Sequence, residues 1–291
     1  MRRAIILLAT MAFAMLSAQT HKHLENFGED ESLVIWDNST APVSNEQTKD
    51  EKLKKTKFYY TSELELYVFK PEKPNGQSVV FFPGGSYRSV NFGALLPNFL
   101  KKNGITTIIV KYRLPNGGHY VATIEDAKKA LRTVREKAGE WGIDPKKVFV
   151  SGSSAGGHLA SWLSNSVPGE EPVGAILFYP ACMRTAWFVT EIGARSMMGN
   201  DIYLTEAETL NTPAMVTHNT PPTLILASDD DTLVPTASPI AYYEALKANG
   251  VKASLHIYPS GGHGWSGKKD FKYIAWWQEA VLDWLNTFNA K

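Results

Sequence analysis

A serine between two glycines gives the strongest indication of chemistry in this sequence. Gly152-Ser153-Ser154-Ala155-Gly156 fits the pattern G-x-S-x-G, with Ser154 at its centre. The β-branched and aromatic run Val148–Val150 predicts a buried strand before it, and the apolar residues from Leu159 onward predict a helix after it. In a strand-to-helix turn, this pattern holds a serine with its hydroxyl exposed at the carboxyl end of a sheet. The context favours a nucleophilic Ser154 over a glycine-serine loop without chemistry.

A serine hydroxyl is a weak nucleophile at neutral pH, so Ser154 needs an adjacent base, most often a histidine oriented by a carboxylate. Histidines downstream of it occupy four positions: His158, His218, His256 and His263. His263 lies in Gly261-Gly262-His263-Gly264-Trp265, directly after the last predicted strand. The flanking glycines let the loop backbone approach a nucleophile while the imidazole stays free. His263 is therefore the predicted base, whereas His256 falls within a strand and is expected to be a packed or surface residue.

Three consecutive aspartates follow the predicted strand Thr223–Ala227 at its carboxyl end: Asp229, Asp230 and Asp231. Three adjacent carboxylates cannot all face one imidazole. Asp231, which precedes the turn into the next helix, is the predicted acid of the triad, and Asp230 is the second candidate. Otherwise Asp229 and Asp230 suit a helix cap or a solvated turn. The run lacks the alternating carboxylates of a calcium loop, and the sequence predicts no metal site.

Backbone N–H groups must stabilise the negative oxygen that forms when a serine attacks an ester carbonyl. One donor is expected from Ala155, the residue after the nucleophile. The other is expected from the glycine-rich loop that follows the predicted strand Ser78–Phe82, with Gly85 and Ser86 as the candidate donors. A glycine-rich loop can also cradle phosphate, but the chain has no P-loop lysine and no G-x-G-x-x-G spacing here. No cofactor is predicted.

Predicted strands and helices alternate along most of the chain. The expected strands are Phe58–Tyr60, Leu64–Phe69, Ser78–Phe82, Ile105–Val110, Val148–Val150, Ala175–Tyr179, Thr223–Ala227 and Ala253–Tyr258. The expected helices are Phe92–Lys102, Val121–Val134, one after Ser154, Ala237–Asn249 and Phe271–Phe288. This alternation predicts the α/β class, with a mostly parallel central sheet, helices on both faces and the site at the carboxyl ends of the strands.

Composition and segment pattern predict the domain organisation. Residues 1–19 are expected to be a signal peptide, since Arg2 and Arg3 precede an apolar run too short to span a membrane. Residues 20–57 are expected to form an extended arm on a single catalytic domain, 58–291, in which 183–221 is a candidate lid. The 291 residues carry a formal net charge of +1, which indicates neither a nucleic-acid nor a membrane partner. One cysteine excludes an internal disulfide and a thiolate metal site.

Six short motifs occur between about residue 58 and the C-terminus. They are Pro83-Gly84-Gly85-Ser86-Tyr87, Tyr112-Arg113-Leu114-Pro115, the stretch from Gly152 to Ala160, Tyr179-Pro180, Asp230-Asp231 with Val234-Pro235, and Gly261-Gly262-His263-Gly264. In this order they resemble the α/β-hydrolase family of bacterial esterases that includes acetyl xylan esterases and related carbohydrate or feruloyl esterases. The resemblance implies an α/β-hydrolase fold with Ser154 as nucleophile, Asp231 as acid and His263 as base.

Two further features follow from the same resemblance. Many relatives have His-Gly-Gly-Gly at the oxyanion loop, whereas this chain has Pro83 and Ser86 at the first and last of these positions. Arg113 and Asp126 resemble a family pair that is expected to be a structural ion pair.

Together with the expected signal peptide, the resemblance implies a secreted or periplasmic bacterial serine esterase that removes acyl groups, acetyl above all, from plant polysaccharides or oligosaccharides such as xylan. Its partner would be an acylated carbohydrate or a small ester, with no nucleic acid and no membrane anchor. Alternatives are a general carboxylesterase or feruloyl esterase, a peptidase similar to prolyl oligopeptidases, and a non-enzymatic sugar-binding relative. The short segment before residue 58 disfavours the peptidase, which usually carries a large propeller. The filled triad positions disfavour the sugar-binding protein.

Overall fold

The structure is a computed structural model that describes residues 27–182, 196–197, 199 and 210–289. The predicted signal peptide and most of the predicted lid lie outside the described residues. Within these ranges, no helix combines the length and the apolar character needed to cross a bilayer.

The described strands form two sheets. They are β1 (Glu31–Asp37), β2 (Lys52–Lys54), β3 (Lys57–Tyr59), β4 (Glu63–Phe69), β5 (Gly76–Phe82), β6 (Val90–Asn91), β7 (Thr106–Lys111), β8 (Ile143–Ser153), β9 (Ala175–Phe178), β10 (Thr223–Ser228) and β11 (Ala253–Tyr258). Eight of them form the central sheet in the order β1-β4-β7-β5-β8-β9-β10-β11. β4 is antiparallel to both its neighbours, and all other pairs in this sheet are parallel. The predicted α/β class with a mostly parallel central sheet is confirmed.

The helices alternate with the parallel strands, as predicted. They are α1 (Leu96–Lys102), α2 (Tyr120–Glu136), α3 (Ala155–Ser164), α4 (Thr212–Met215), α5 (Ala237–Ala248), α6 (Ile274–Asn286) and a short 3-10 turn, Trp265–Gly267. α1 begins later than the predicted Phe92. Pro97 lies in its first turn, where the missing N–H breaks no helical hydrogen bond. β8 is much longer than the predicted Val148–Val150, because it pairs with β5 on one side and β9 on the other.

The parallel strands β5, β8, β9 and β10 end at the same edge of the sheet. All four are almost wholly buried towards that edge, and their β-branched and aromatic side chains supply much of the hydrophobic core. Residues that directly follow these strands must therefore lie close together in space. They include Gly84, Ser154, Tyr179 and Asp231.

Part of the predicted N-terminal arm belongs to the sheets. β1 pairs with β4 at the edge of the central sheet, and the β2–β3 hairpin pairs through β3 with β6 in the second sheet. In the sequence, only the patch Leu33–Trp36 indicated packing, because an antiparallel edge strand is defined by a distant partner and not by its own pattern. The described part of the arm therefore contributes strands to both sheets. The sequence had instead predicted an arm that lies on the domain.

A buried ion pair holds this segment to the core. Arg113 Nη2 lies 2.8 Å from Asp126 Oδ1 on α2, and both side chains are fully buried. Arg113 also donates to the backbone oxygen of Val43 at 2.6 Å, and Trp36 Nε1 donates to Asp126 Oδ1 at 2.6 Å. The pair therefore joins β1 and the loop after it to α2, which agrees with the structural role expected for it.

Replacement of Asp126 by asparagine is expected to lower the free energy of unfolding by about 3–5 kcal/mol, because the buried guanidinium loses its counter-charge. Urea unfolding at neutral pH measures the change. Glu170→Gln is the matched control, since it removes an ion pair with Arg132 whose side chains are 45% and 49% exposed. The control should cost less than about 1 kcal/mol. Equal losses in the two variants would contradict the role given to the buried pair.

Candidate active site

Ser154 lies in a tight turn in which the positions two residues before and two residues after it have no room for a side chain. β8 ends at Ser153 and α3 begins at Ala155, with Ser154 between them at φ 55° and ψ −122°. A Cβ on Gly152 would lie 2.1 Å from the backbone oxygen of Gly156, and a Cβ on Gly156 would lie 1.9 Å from that of Phe82. Only glycine fits at either position. The positive φ of Ser154 is strained for a residue other than glycine, and such strain is typical of functional sites.

Three side chains that are distant in sequence form one chain of hydrogen bonds. His263 Nε2 lies 2.8 Å from Ser154 Oγ, and His263 Nδ1 lies 2.7 Å from Asp231 Oδ2. The carboxylate can only accept, so Nδ1 donates to it and Nε2 is left to accept the serine proton. The structure thus brings together the three residues predicted as nucleophile, base and acid, in the geometry of a catalytic triad.

Asp231 is held in place by its own backbone turn. Its side chain is 1% exposed. While Oδ2 meets the imidazole, Oδ1 accepts the N–H groups of Leu233 and Val234, each at 2.9 Å. Both carboxylate oxygens are therefore satisfied, and the orientation towards His263 is fixed without any other charged partner.

Asp230, the second candidate for the acid, contacts the backbone of the histidine loop and not the imidazole. It is exposed, and its Oδ1 accepts the N–H of Gly262 at 2.7 Å. This bond and a second one from Gly261 lower the pKa of Asp230. Asp230 therefore anchors the glycine-rich loop that carries His263. Within the described ranges, no three His, Cys, Asp or Glu side chains are grouped as a metal ion would require.

The glycine-rich loop after β5 lies against Ser154. A Cβ on Gly84 would lie 2.5 Å from the backbone oxygen of Ser153, and one on Gly85, at φ 142°, would lie 2.0 Å from that of Ser89. Among the described residues, the N–H groups of Gly85 and Ser86 find no acceptor. Ser86 adopts φ 54°, a left-handed conformation that residues other than glycine rarely take.

These groups face a common cavity of about 270 Å³. Gly85 and Ser86 line it together with Ser154 and His263, whereas Ala155 is buried beside it. Ala155 is the first residue of α3, so its N–H belongs to those that have no acceptor within the helix. The three predicted oxyanion donors therefore lie around Ser154, with N–H groups free to bind a developing negative charge.

Two buried hydroxyl groups support the loop from behind. Tyr112 Oη donates to the backbone oxygen of Pro83 at 2.7 Å. Tyr87 Oη lies 2.8 Å from His158 Nδ1, and His158 Nε2 lies 2.7 Å from the backbone oxygen of Leu210. Burial lowers the pKa of His158 to about 4, so the ring is neutral at pH 7 and donates from Nε2. His158 is thus a buried structural residue.

The other two downstream histidines are not part of the triad. His256 lies in β11, is half-buried and contacts Ser254 Oγ at 3.1 Å, which agrees with the packed or surface role expected for it. His218 is exposed after α4.

The role of Tyr179 was not predicted from the sequence. Its ring lies 4.8 Å from the imidazole of His263 at an interplanar angle of 61°, and its hydroxyl is hydrogen-bonded to Ser266 Oγ. Burial raises the pKa of Tyr179 to about 12, so it is a neutral phenol that packs against the base. The sequence offered only its place directly after a strand, in the motif Tyr179-Pro180.

Asp231→Asn is expected to lower kcat for p-nitrophenyl acetate by about 10⁴-fold. The amide can keep the bonds to Leu233 and Val234 but then presents an NH₂ group to His263, which favours the wrong tautomer. Asp230→Asn changes the neighbouring carboxylate and is expected to lower kcat less than about tenfold. Steady-state kinetics on both variants measure the difference. A larger loss in Asp230→Asn would reverse the two roles.

Comparison with known proteins shows the same fold. A family model described as alpha/beta hydrolase fold matches residues 79–267. The chain is 35% identical over 236 residues to the acetylxylan esterase of Xylanibacter ruminicola, which covers 78% of this chain and 48% of that protein. It is 26% identical over 235 residues to an ethyl acetate hydrolase of Pseudomonas putida, covering 69% and 70% of the two chains. The chain spans about half the length of the acetylxylan esterase.

A solved structure extends the comparison beyond sequence. The acetyl ester-xyloside bifunctional hydrolase of Caldicellulosiruptor lactoaceticus is similar with a TM-score of 0.74 at 27% identity, over 90% of this chain and 97% of that one. The family match covers most of the chain and includes both the nucleophile turn and the histidine loop. The chain therefore belongs to the α/β-hydrolase family.

Proposed function

We propose that this protein is a serine esterase that hydrolyses acyl esters, acetyl esters above all, on plant polysaccharides or oligosaccharides of the xylan type. The observation that carries the proposal is the continuous hydrogen-bond chain from Ser154 through His263 to Asp231 at the edge of a cavity. A serine in such a hydrogen-bond chain can attack a carbonyl carbon. Neither a packing role nor a sugar-binding role requires this arrangement.

The reaction would proceed through an acyl-enzyme. Ser154 Oγ attacks the ester carbonyl carbon while His263 Nε2 takes its proton, and the N–H groups of Gly85, Ser86 and Ala155 bind the oxyanion. The C–O bond to the alcohol breaks, and His263 returns the proton to the departing alkoxide oxygen. Water then attacks the acyl carbon with His263 as base, which releases the carboxylic acid and restores the serine.

The names of the relatives support a small acyl group. The cavity of about 270 Å³ beside Ser154, bounded by residues such as Leu233 and Tyr179, has room for an acetyl group. The relatives are named acetylxylan esterase and ethyl acetate hydrolase, and the structural neighbour is an acetyl ester-xyloside hydrolase. Two of these three names join acetyl esters to xylan or xyloside chemistry, which favours a carbohydrate as the alcohol part of the substrate.

Secretion belongs to the same proposal. Arg2 and Arg3, followed by an apolar run and small residues, have the pattern of a leader over residues 1–19. A plant polysaccharide is too large to enter a cell, so an enzyme for it has to act outside the cytoplasm. The catalytic domain would comprise residues 58–291 together with the preceding strands β1 and β2, and 183–221 would be its lid.

A substrate screen tests the acyl and alcohol preferences together. The expected result is acetate release from acetylated xylan and a kcat/KM for p-nitrophenyl acetate at least about tenfold above that for the butyrate, because the named relatives act on acetyl esters. The Ser154→Ala variant is the blank for every substrate, and its rate should fall to background.

Other outcomes separate the alternatives. Preference for methyl ferulate would assign a feruloyl esterase, and small-ester turnover without release from xylan would assign a general carboxylesterase. Cleavage of dipeptidyl amides without ester turnover would assign a peptidase. Unchanged ester hydrolysis in Ser154→Ala would remove the nucleophile assignment.

A further inference from the structure

A strongly basic hairpin lies at the rim of the catalytic cavity. Between residues 49 and 57 the chain carries five lysines against only Asp50 and Glu51. β2 and β3 pair so that Lys54 lies opposite Lys57 and Lys52 lies opposite Tyr59. Directly opposed residues share a face, so the three lysines and Tyr59 lie on one side of the hairpin. This face is called the basic ribbon below.

The ribbon faces solvent because its reverse face packs on the core. Leu53 and Phe58, which oppose each other in the hairpin, are on that reverse face, and Phe58 is fully buried. By contrast, Lys52, Lys54 and Lys57 are exposed, and Tyr59 is half-buried. The alternation of side chains along each strand directs the lysines towards solvent, since a shift of the strand register by one residue would bury them.

Pairing with β6 brings the ribbon to the active site. Lys57 lies opposite Asn91, and both residues line the same cavity as Ser154 and His263. β6 directly follows the oxyanion loop, and Lys57 brings the ribbon to one side of the cavity that contains Ser154. None of the described residues that line this cavity is acidic.

The lysines of the ribbon have no counter-charge among the described residues, unlike several lysines elsewhere. Lys70 pairs with Glu31 and Lys101 with Asp30. Glu51, the acid next to the ribbon in sequence, faces inward and lies 2.9 Å from the buried Lys111. The positive charge beside the cavity is therefore available to bind an anionic group of a molecule outside the described chain.

Lys54 and Lys57 are like charges directly opposed across the hairpin, an arrangement that is unfavourable by itself. Equal charges directly opposed across two strands repel each other, and a residue choice that weakens the fold is expected at functional positions. A bound anion between the two ammonium groups would remove this repulsion.

We propose that the basic ribbon binds carboxylate groups on the alcohol part of the ester, so that the preferred substrate is an acylated acidic saccharide, one that carries uronate-type carboxylates. The inference rests on the proposed function, because the ester must occupy the cavity while the saccharide extends over the ribbon. Tyr59 on the same face supplies an aromatic ring on which a sugar can stack. Continuity with the cavity favours a saccharide over a lipid surface, which has no reason to reach Ser154.

The test compares two acetylated oligosaccharides with the same backbone, one neutral and one with a carboxylate-bearing branch. Wild-type protein is expected to have a kcat/KM at least about tenfold higher for the acidic one, mainly through a lower KM. In the triple variant Lys52→Gln, Lys54→Gln, Lys57→Gln this ratio should fall about tenfold, because each exposed ion pair changes binding by a few-fold. In wild type the ratio should also fall as salt is added.

The matched control carries the same loss of three charges on other exposed lysines: Lys102→Gln, Lys146→Gln, Lys247→Gln. It should keep the wild-type ratio. An equal fall in the control, or a wild-type ratio near one, would overturn the ribbon proposal while the esterase assignment stands. Failure of the wild type to release acetate from either saccharide would remove the proposed function and the ribbon with it. A ratio near one together with binding to phosphatidylserine-containing vesicles, lost in the triple variant, would assign the ribbon to a membrane surface instead.

Discussion

The lack of space around the turn at Ser154 determines the rest of the site. A side chain on Gly152 or Gly156 would overlap a backbone oxygen at about half the normal separation. The two glycines therefore let β8 turn directly into α3 and hold Ser154 at a positive φ. Because Gly156 lies against the end of β5, the same contact sets the distance between the nucleophile and the oxyanion loop. A loop without this close approach could not present both Oγ and free N–H groups to one carbonyl.

A second layer of contacts keeps the parts of the site aligned. Asp230 and Asp231 are neighbours, yet one binds the backbone of the histidine loop and the other binds the imidazole. Tyr179 packs on the same imidazole, and Tyr87 joins the oxyanion loop to His158. Each of these groups is neutral or already paired, so a charge developing at Ser154 during the proposed reaction would meet a fixed environment and not a mobile counter-ion.

The sequence predicted the features that depend on short local patterns of residues. Ser154, Asp231 and His263 each follow a strand in a short motif, and the alternation of strands and helices gave the α/β class, which the structure confirms. The roles of His158 and Tyr179 depend on partners far away in the chain, Leu210 and Ser266 among them, so no local pattern indicated them. The same holds for β1, whose partner strand defines it, and for Lys57, whose place at the cavity follows from pairing with β6.

The proposed activity depends on Ser154 as a nucleophile activated by His263. Titration with a fluorophosphonate, followed by peptide mass mapping, tests this claim most directly, because only an activated serine reacts readily with such a probe. We expect one phosphonyl group per chain, located on Ser154 and not on Ser153, with esterase activity lost in proportion to labelling. Label on another residue, or full activity in protein labelled at Ser154, would contradict the account.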